Sequence, residues 1–278
     1  MKKLKMYLLA VSLCFVMGCS TIANIGNNLN MFTIEDDRAL GYQTLTSIRG
    51  DKANYPILDT VRYAAAYTQI RTLFNRLINV GLTYRDAFNW NLYIIDQDDV
   101  LNAFAIPGGT VFIYTGLINY LDNESQLAGV LAHEISHIEM RHMTRQLTKQ
   151  YGVDFLTSLI AAHTGSGIVQ GLSGVANSLA QLHFSRNDEY EADATGTLIM
   201  AATGYYDPYQ AAGFFQKMMQ DNTSGATVEL LSTHPLDAHR IAAIQKNCEN
   251  MGAKPFTEAQ LSSQVASLNS LKQKLRKR

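Results

Sequence analysis

His133-Glu134-Ile135-Ser136-His137 is the stretch on which the reading of this chain turns. Asp122 or Asn123 is placed to cap a helix, with Glu124 in its first turn. Leu127, Val130, Leu131 and Ile138 then recur at helical spacing, so the pattern predicts a helix through about Lys149. On such a helix, imidazoles at i and i+4 stand one turn apart on one face, close enough to share a single Zn²⁺. Glu134 projects beside them, where it can take a proton from water held by the metal. The bland alternative is a solvated helix with His and Glu as filler. Against it, the mostly apolar sequence argues burial, and buried histidines and glutamates need partners.

A hydrolytic zinc site holds three protein ligands and leaves one position open. Ser185-Arg186-Asn187-Asp188-Glu189-Tyr190-Glu191-Ala192-Asp193 offers the third on a second helix. Glu189 and Asp193 are four residues apart and share a face, while Glu191 points elsewhere. One of the two carboxylates can ligate while the other hydrogen-bonds the outer nitrogen of a ligating His and fixes its tautomer. The competing reading is an acidic helix start, with Asn187-Asp188-Glu189 complementing the dipole.

Outward from these segments, Thr33-Ile34-Glu35-Asp36-Asp37 reads as a capped helix start running to about Ser47, and Gly50 to Pro56 breaks the pattern. Val61, Ala64, Ala65, Ile70, Leu73, Leu77 and Ile78 predict an amphipathic helix from about Leu58 to Asn79. Trp90 to Ile95 reads as a strand. Asn102 to Ile106 and Thr110 to Tyr114 flank Pro107-Gly108-Gly109 as a hairpin. Phe155 to Ser185 contains no Asp, Glu, Lys or Arg. Its glycines and polar residues argue for two helices about Thr164-Gly165-Ser166-Gly167 rather than a membrane span. The fold class implied is α+β, mainly helical, without the strand–helix alternation of a doubly wound sheet.

The 278 residues are 47% hydrophobic and 17% charged, which excludes intrinsic disorder, a collagen-like chain and a chain built to wrap nucleic acid. Lys2, Lys3 and Lys5 precede a short apolar run, Met6 to Met17, that ends in Gly18-Cys19-Ser20. The run is too short to span a bilayer and reads as a signal peptide over residues 1–18. Val16-Met17-Gly18-Cys19 resembles a bacterial lipobox, which implies lipidation of Cys19 and attachment to a membrane. Its likeness to Gram-negative lipoproteins, with Ser following the Cys, implies the periplasmic face of the outer membrane. Residues 19–32 then form a tether, 33–250 the main domain, and 251–278 a C-terminal helix with a basic tail. Removing residues 1–18 leaves 20 basic against 24 acidic residues, a net charge of −4 rather than −1. Over residues 19–270 the balance is 15 against 24, a net −9. A solvated helix end accounts for the basic tail. With Cys14 discarded and Cys19 lipidated, Cys248 has no intramolecular partner.

The chain resembles the gluzincin metalloendopeptidases of the HtpX and CAAX prenyl protease type, and most closely their soluble periplasmic lipoprotein branch. His133-Glu134-Ile135-Ser136-His137 followed by Glu189 and Asp193 carries the resemblance. The Asn102 to Leu117 region, Arg141-His142, Ser185-Arg186, Ser232-Thr233-His234-Pro235 and Arg240-Ile241 join it. It implies a zincin-like metalloprotease domain with a small β-hairpin or sheet packed beside the zinc-binding helix. It further implies one Zn²⁺ per chain held by His133, His137 and Glu189, with Glu134 as general base and Asp193 supporting a ligating His. His234 would stabilise the oxyanion or occupy the open zinc position at rest. Tyr190, Tyr205, Tyr206 and His183 are weaker candidates, each explained by packing or surface placement.

The activity implied is hydrolysis of peptide bonds in unfolded or misassembled cell-envelope proteins. The strand at Asn102 to Ile106 or that at Val111 to Tyr114 would serve as the edge on which an extended substrate adds. Two rivals stand beside it: a lipoprotein chaperone or assembly factor for outer-membrane proteins with zinc as a structural staple, and a zinc amidase acting on cell-wall peptide. A purely structural zinc needs no base, so Glu134 favours the enzyme.

Overall fold

The computed structural model describes residues 29–152, 182–220, 230–235 and 238–276. The signal segment, Cys19 and the turn expected at residues 164–167 lie outside them. Among the described residues no helix is long and apolar enough to cross a membrane.

Helix α1 (Ile34–Gly50) begins where its cap was expected, with Thr33 and Asp36 forming a reciprocal capping box. Helix α2 (Ala64–Ile78) starts six residues later than its apolar period predicts. The intervening residues are taken by other bonds: Ile57 bridges Ile95, the Leu58 amide donates to the Ile94 carbonyl, and Asp59 Oδ1 accepts from the Val61 and Arg62 amides. Sheet pairing thus overrides local periodicity there.

Strands β1 (Asn91–Ile95), β2 (Ala103–Ile106) and β3 (Thr110–Tyr114) form one sheet in the order β1-β3-β2. The expected hairpin is present, with β2 antiparallel to β3 and Phe104 opposite Phe112. β1 runs parallel to β3 on its other side, Tyr93 opposite Phe112. β3 is therefore the central strand, and of the two segments expected to offer an edge only β2 does. Alternation sorts the side chains. Tyr93, Ile95, Phe104, Ile106, Phe112 and Tyr114 pack with Ile48 of α1 on one face. Leu92, Ile94, Ala103, Ala105, Val111 and Ile113 join the main core on the other.

That second face lies against α4 (Glu124–Glu139), which follows the short α3 (Thr115–Tyr120). Asn123, not Asp122, caps α4, its side chain accepting from the Gln126 amide. The predicted continuous helix to Lys149 is instead two: Arg141 adopts a left-handed conformation (φ 53°), and α5 (His142–Tyr151) leaves in a new direction. Helix α6 (Arg186–Thr203) packs across α4. A Cβ on Gly196 would sit 3.1 Å from the His133 amide nitrogen and 3.2 Å from the Ala132 carbonyl carbon, so a bare backbone is what lets the two helices meet beside His133.

Helix α7 (Gly213–Gln220), a single helical turn α8 (Leu230–Thr233), α9 (Ala238–Asn250) and α10 (Glu258–Arg276) complete the chain. α10 does not end as a purely solvated tail. Leu268, Leu271 and Leu275 enter the main core, the Lys272 ammonium donates to the carbonyls of Asn119 and Leu121, and Lys274 donates to Gln69 Oε1.

Candidate metal centre

Three helical elements deliver the site. α4 is buried on nearly every side, which places His133, Glu134 and His137 inside the protein. α6 opens with Ser185 and Asp188 in a capping box, so the acidic start does serve the helix end, yet Glu189 and Asp193 are turned inward and buried. His234 follows α8 and is buried as well.

Ring nitrogens of His133, His137 and His234 and a carboxylate oxygen of Glu189 all lie within 4.8 Å of one another. His133 Nε2 is 3.0 Å from His137 Nε2 and 3.2 Å from His234 Nδ1. His234 Nδ1 is 2.9 Å from Glu189 Oε1, which is 3.5 Å from His137 Nε2. Glu134 borders the cluster, its Oε1 3.5 Å from His234 Nε2, and it accepts a hydrogen bond from the Ala105 amide on the outer edge of β2. The structure thus brings together all the residues singled out from the sequence around the His-Glu-x-x-His helix. Of the weaker candidates, His183 is exposed and bonds the Ser232 carbonyl, Tyr205 is largely exposed, Tyr206 bonds Arg76, and Tyr190 is half-buried on α6.

Asp193 and Arg240 support this group from behind. Asp193 Oδ1 lies 3.0 Å from His133 Nδ1, somewhat off the N–H axis, and both its oxygens receive the Arg240 guanidinium, at 2.7 and 2.8 Å. Arg240 Nη1 also contacts Glu189 Oε2 at 2.7 Å. The sequence showed Arg240 only as part of a resembling segment; its role depends on α9 packing against α6, which no local pattern reveals. Phe184 was missed as well, and its ring stacks on His137 with centroids 4.0 Å apart.

The charges are those of a cavity built for a cation. Burial would lower the His133 pKa, but hydrogen bonds and attraction from Asp193 and Glu189 outweigh it and raise the value to about 10. Burial, with the charges of His133 and His234, drives His137 well below its ordinary value. Burial opposes ionisation of Glu189, yet His234 and His133 hold its carboxyl far below the usual range. Glu134 is raised, chiefly by burial, which suits a group that must accept and release a proton.

The donor set fits zinc. With a proton on His133 Nδ1 toward Asp193, and with His137 Nδ1 engaged by His142, the two Nε2 atoms face each other as lone pairs at 3.0 Å. Such an arrangement is relieved by a proton or a metal ion between the two nitrogens, and imidazole and carboxylate are among the ligand types that zinc takes.

The fold and this centre define a zincin-like metal site on a mainly helical α+β scaffold. The sequence matches the model of Peptidase family M48 over residues 64–248, and the chain belongs to that family, whose metalloproteases use zinc. Relatives include the beta-barrel assembly-enhancing proteases of Yersinia pestis and Escherichia coli K12. The first is 33% identical over 224 residues, 77% of this chain and 44% of the relative. The second is 30% identical over 254 residues, 87% of this chain and 50% of the relative. The mitochondrial metalloendopeptidase OMA1 of Schizosaccharomyces pombe is 33% identical over 169 residues, 60% of this chain and 49% of the relative. The chain therefore spans about half the length of these curated relatives.

Proposed function

We propose that this chain is a zinc metalloendopeptidase that cleaves unfolded or misassembled cell-envelope proteins, held by a lipid on Cys19 at the periplasmic face of the outer membrane. The observation that carries the reading is the position of Glu134: buried, at the border of the ligand cluster, and joined to the outer edge of β2 through Ala105.

His133, His137 and Glu189 would hold the metal and Glu134 would act as base. Held there, zinc would supply a Lewis acid that makes water more acidic and polarises a peptide carbonyl. Glu134 would accept a proton from the attacking water and pass it to the leaving amine. The Ala103 backbone and the Ala105 carbonyl of β2 face away from β3, so an extended segment can add there by main-chain bonds, which is tolerant of sequence. An apolar pocket lined by Val130, Ala192, Phe214, Phe215 and Leu230 lies against His133 and Glu134, and it suits the apolar side chains that unfolded polypeptides expose. The place of His234 at the fourth corner of the cluster supports a role in filling the open position at rest, with the ring swinging aside to admit substrate and to stabilise the oxyanion. The names of the beta-barrel assembly-enhancing relatives support an envelope substrate, and the lipobox-like Val16 to Cys19 supports the anchor.

Purified protein should cleave casein, lose that activity to a chelator, and lose about 10²- to 10⁴-fold in kcat as Glu134→Gln while retaining zinc. Undiminished cleavage by Glu134→Gln would overturn the assignment of the base. Cys19→Ala should move the chain from the membrane to the soluble fraction; continued membrane attachment would remove the lipid anchor from the proposal.

A further inference from the structure

His142 is wholly buried at the first position of α5, and neither ligation nor proton transfer has required it so far. Its Nδ1 lies 2.8 Å from His137 Nδ1, and its Nε2 lies 3.0 Å from Glu191 Oε2. That same oxygen accepts from Arg145 Nη2 at 2.7 Å. The trio His142, Asp188 and Glu191 resembles a second ligand group, but Arg145 also lies 2.8 Å from Asp188 Oδ1, so the cation there is the guanidinium.

These contacts assign the protons by elimination. A carboxylate beside a guanidinium has only lone pairs to offer, so the proton between Glu191 and His142 sits on His142 Nε2. A second positive charge on the buried His142, beside the Arg145 guanidinium, is disfavoured, so its Nδ1 is a lone pair and His137 Nδ1 is the donor. This leaves the lone pair of His137 on Nε2, the atom that faces His133 and Glu189. The opposite arrangement would require a protonated Glu191 with its oxygen against Arg145, which is unfavourable.

We propose that His142 is a positioning residue for the metal centre, an imidazole relay through which Glu191 sets the tautomer and ring orientation of His137. His133 is oriented by a carboxylate directly; His137 is oriented through a second ring. The break at Arg141 is what makes this possible. Had α4 continued, residue 142 would fall five positions after His137, about 140° around the helix and out of reach. The left-handed turn at Arg141 brings it beneath the ring instead, and Arg141 is fastened in that turn by Asp37 and by the carbonyls of Phe32 and Thr33. Neither the family match nor the ligand set assigns this role.

The inference rests on His137 as a ligand, so the experiment carries a variant for each. Zinc affinity is measured by chelator competition, and site geometry by the visible spectrum of the Co²⁺-substituted protein. His142→Leu, which removes the acceptor, should weaken zinc binding about 10- to 100-fold and shift the cobalt bands. His142→Asn, whose Oδ1 replaces the acceptor, should recover most of the loss, and Glu191→Gln, which still accepts from His142, should keep most of the wild-type affinity. Leu147→Ala, a buried change on the same helix, controls for general loosening. Wild-type affinity and spectrum in His142→Leu, equal loss in Leu147→Ala, or the full loss in both conservative variants would overturn the relay. Full zinc occupancy in His137→Ala would instead overturn the ligand assignment beneath it.

Discussion

Arg240 grips Asp193 with two nitrogens, Nε on Oδ2 at 2.7 Å and Nη2 on Oδ1 at 2.8 Å, and all of this is buried. The remaining nitrogen, Nη1, reaches Glu189 and also donates to the Pro235 carbonyl, so one guanidinium fixes a proposed metal ligand, the carboxylate partner of His133 and the segment carrying His234. Removing it takes the guanidinium from two buried carboxylates and leaves only His133 and His234 to balance them. Arg240→Ala should cost about 3–5 kcal/mol in stability by denaturant titration and lower zinc affinity as well. Arg240→Lys should recover little, because a point charge cannot reproduce the planar fork. A fully stable, zinc-loaded Arg240→Ala would show that the clamp is dispensable.

Proton and metal compete for His133. With its pKa raised to about 10 by Asp193 and Glu189, the metal-free protein carries an imidazolium there at neutral pH, and metal binding must expel that proton. Calorimetry in buffers of differing ionisation heat should register about one proton released from this group per zinc at pH 7, with apparent affinity rising with pH. The sign for folding runs the other way. A raised histidine pKa stabilises the metal-free fold fully below about 6.5, and that contribution disappears as pH rises through about 10. The Tm of metal-free protein should therefore fall across that window, and a flat profile would contradict the charge assignment.

Gly196 sets the distance between α4 and α6. Gly196→Val would drive a branched side chain into the backbone at Ala132 and His133, costing about 1–3 kcal/mol and displacing Glu189 and Asp193 from their partners. Metal analysis should show reduced zinc along with the lower Tm. Normal occupancy would mean that the helices can separate without disturbing the site.

What could be read from the sequence was whatever repeats over a few residues. Thr33 with Asp36, the His133 to His137 spacing, the Ser185 to Asp193 face and the two strands about Pro107-Gly108-Gly109 are local statements, and the structure places them accordingly. The parallel pairing of β1 with β3 depends on contacts far apart in the chain, and neither strand encodes its neighbour. Nothing in Met140-Arg141 is a helix breaker; the break is imposed by Asp37, more than a hundred residues earlier. Glu191 lies outside the His133, His137, Glu189 and His234 cluster, on another face of the helix from Glu189, and its partner His142 becomes visible only once α5 has turned. Arg240 was legible as a residue and not as a clamp.

The start of the described chain is stitched to α5: the Asn30 side chain donates to Thr144 Oγ1, and the Met31 amide donates to Thr148 Oγ1. Ten residues lie between Cys19 and Asn30, and the eleven Cα–Cα steps, fully extended, reach no more than about 40 Å. With Cys19 as the proposed anchor, the leash is short and is tied beside the zinc-binding helices. Such an enzyme would patrol a thin layer of the periplasm next to the bilayer, and its choice of substrate would be set by where a polypeptide stalls as much as by what its sequence is.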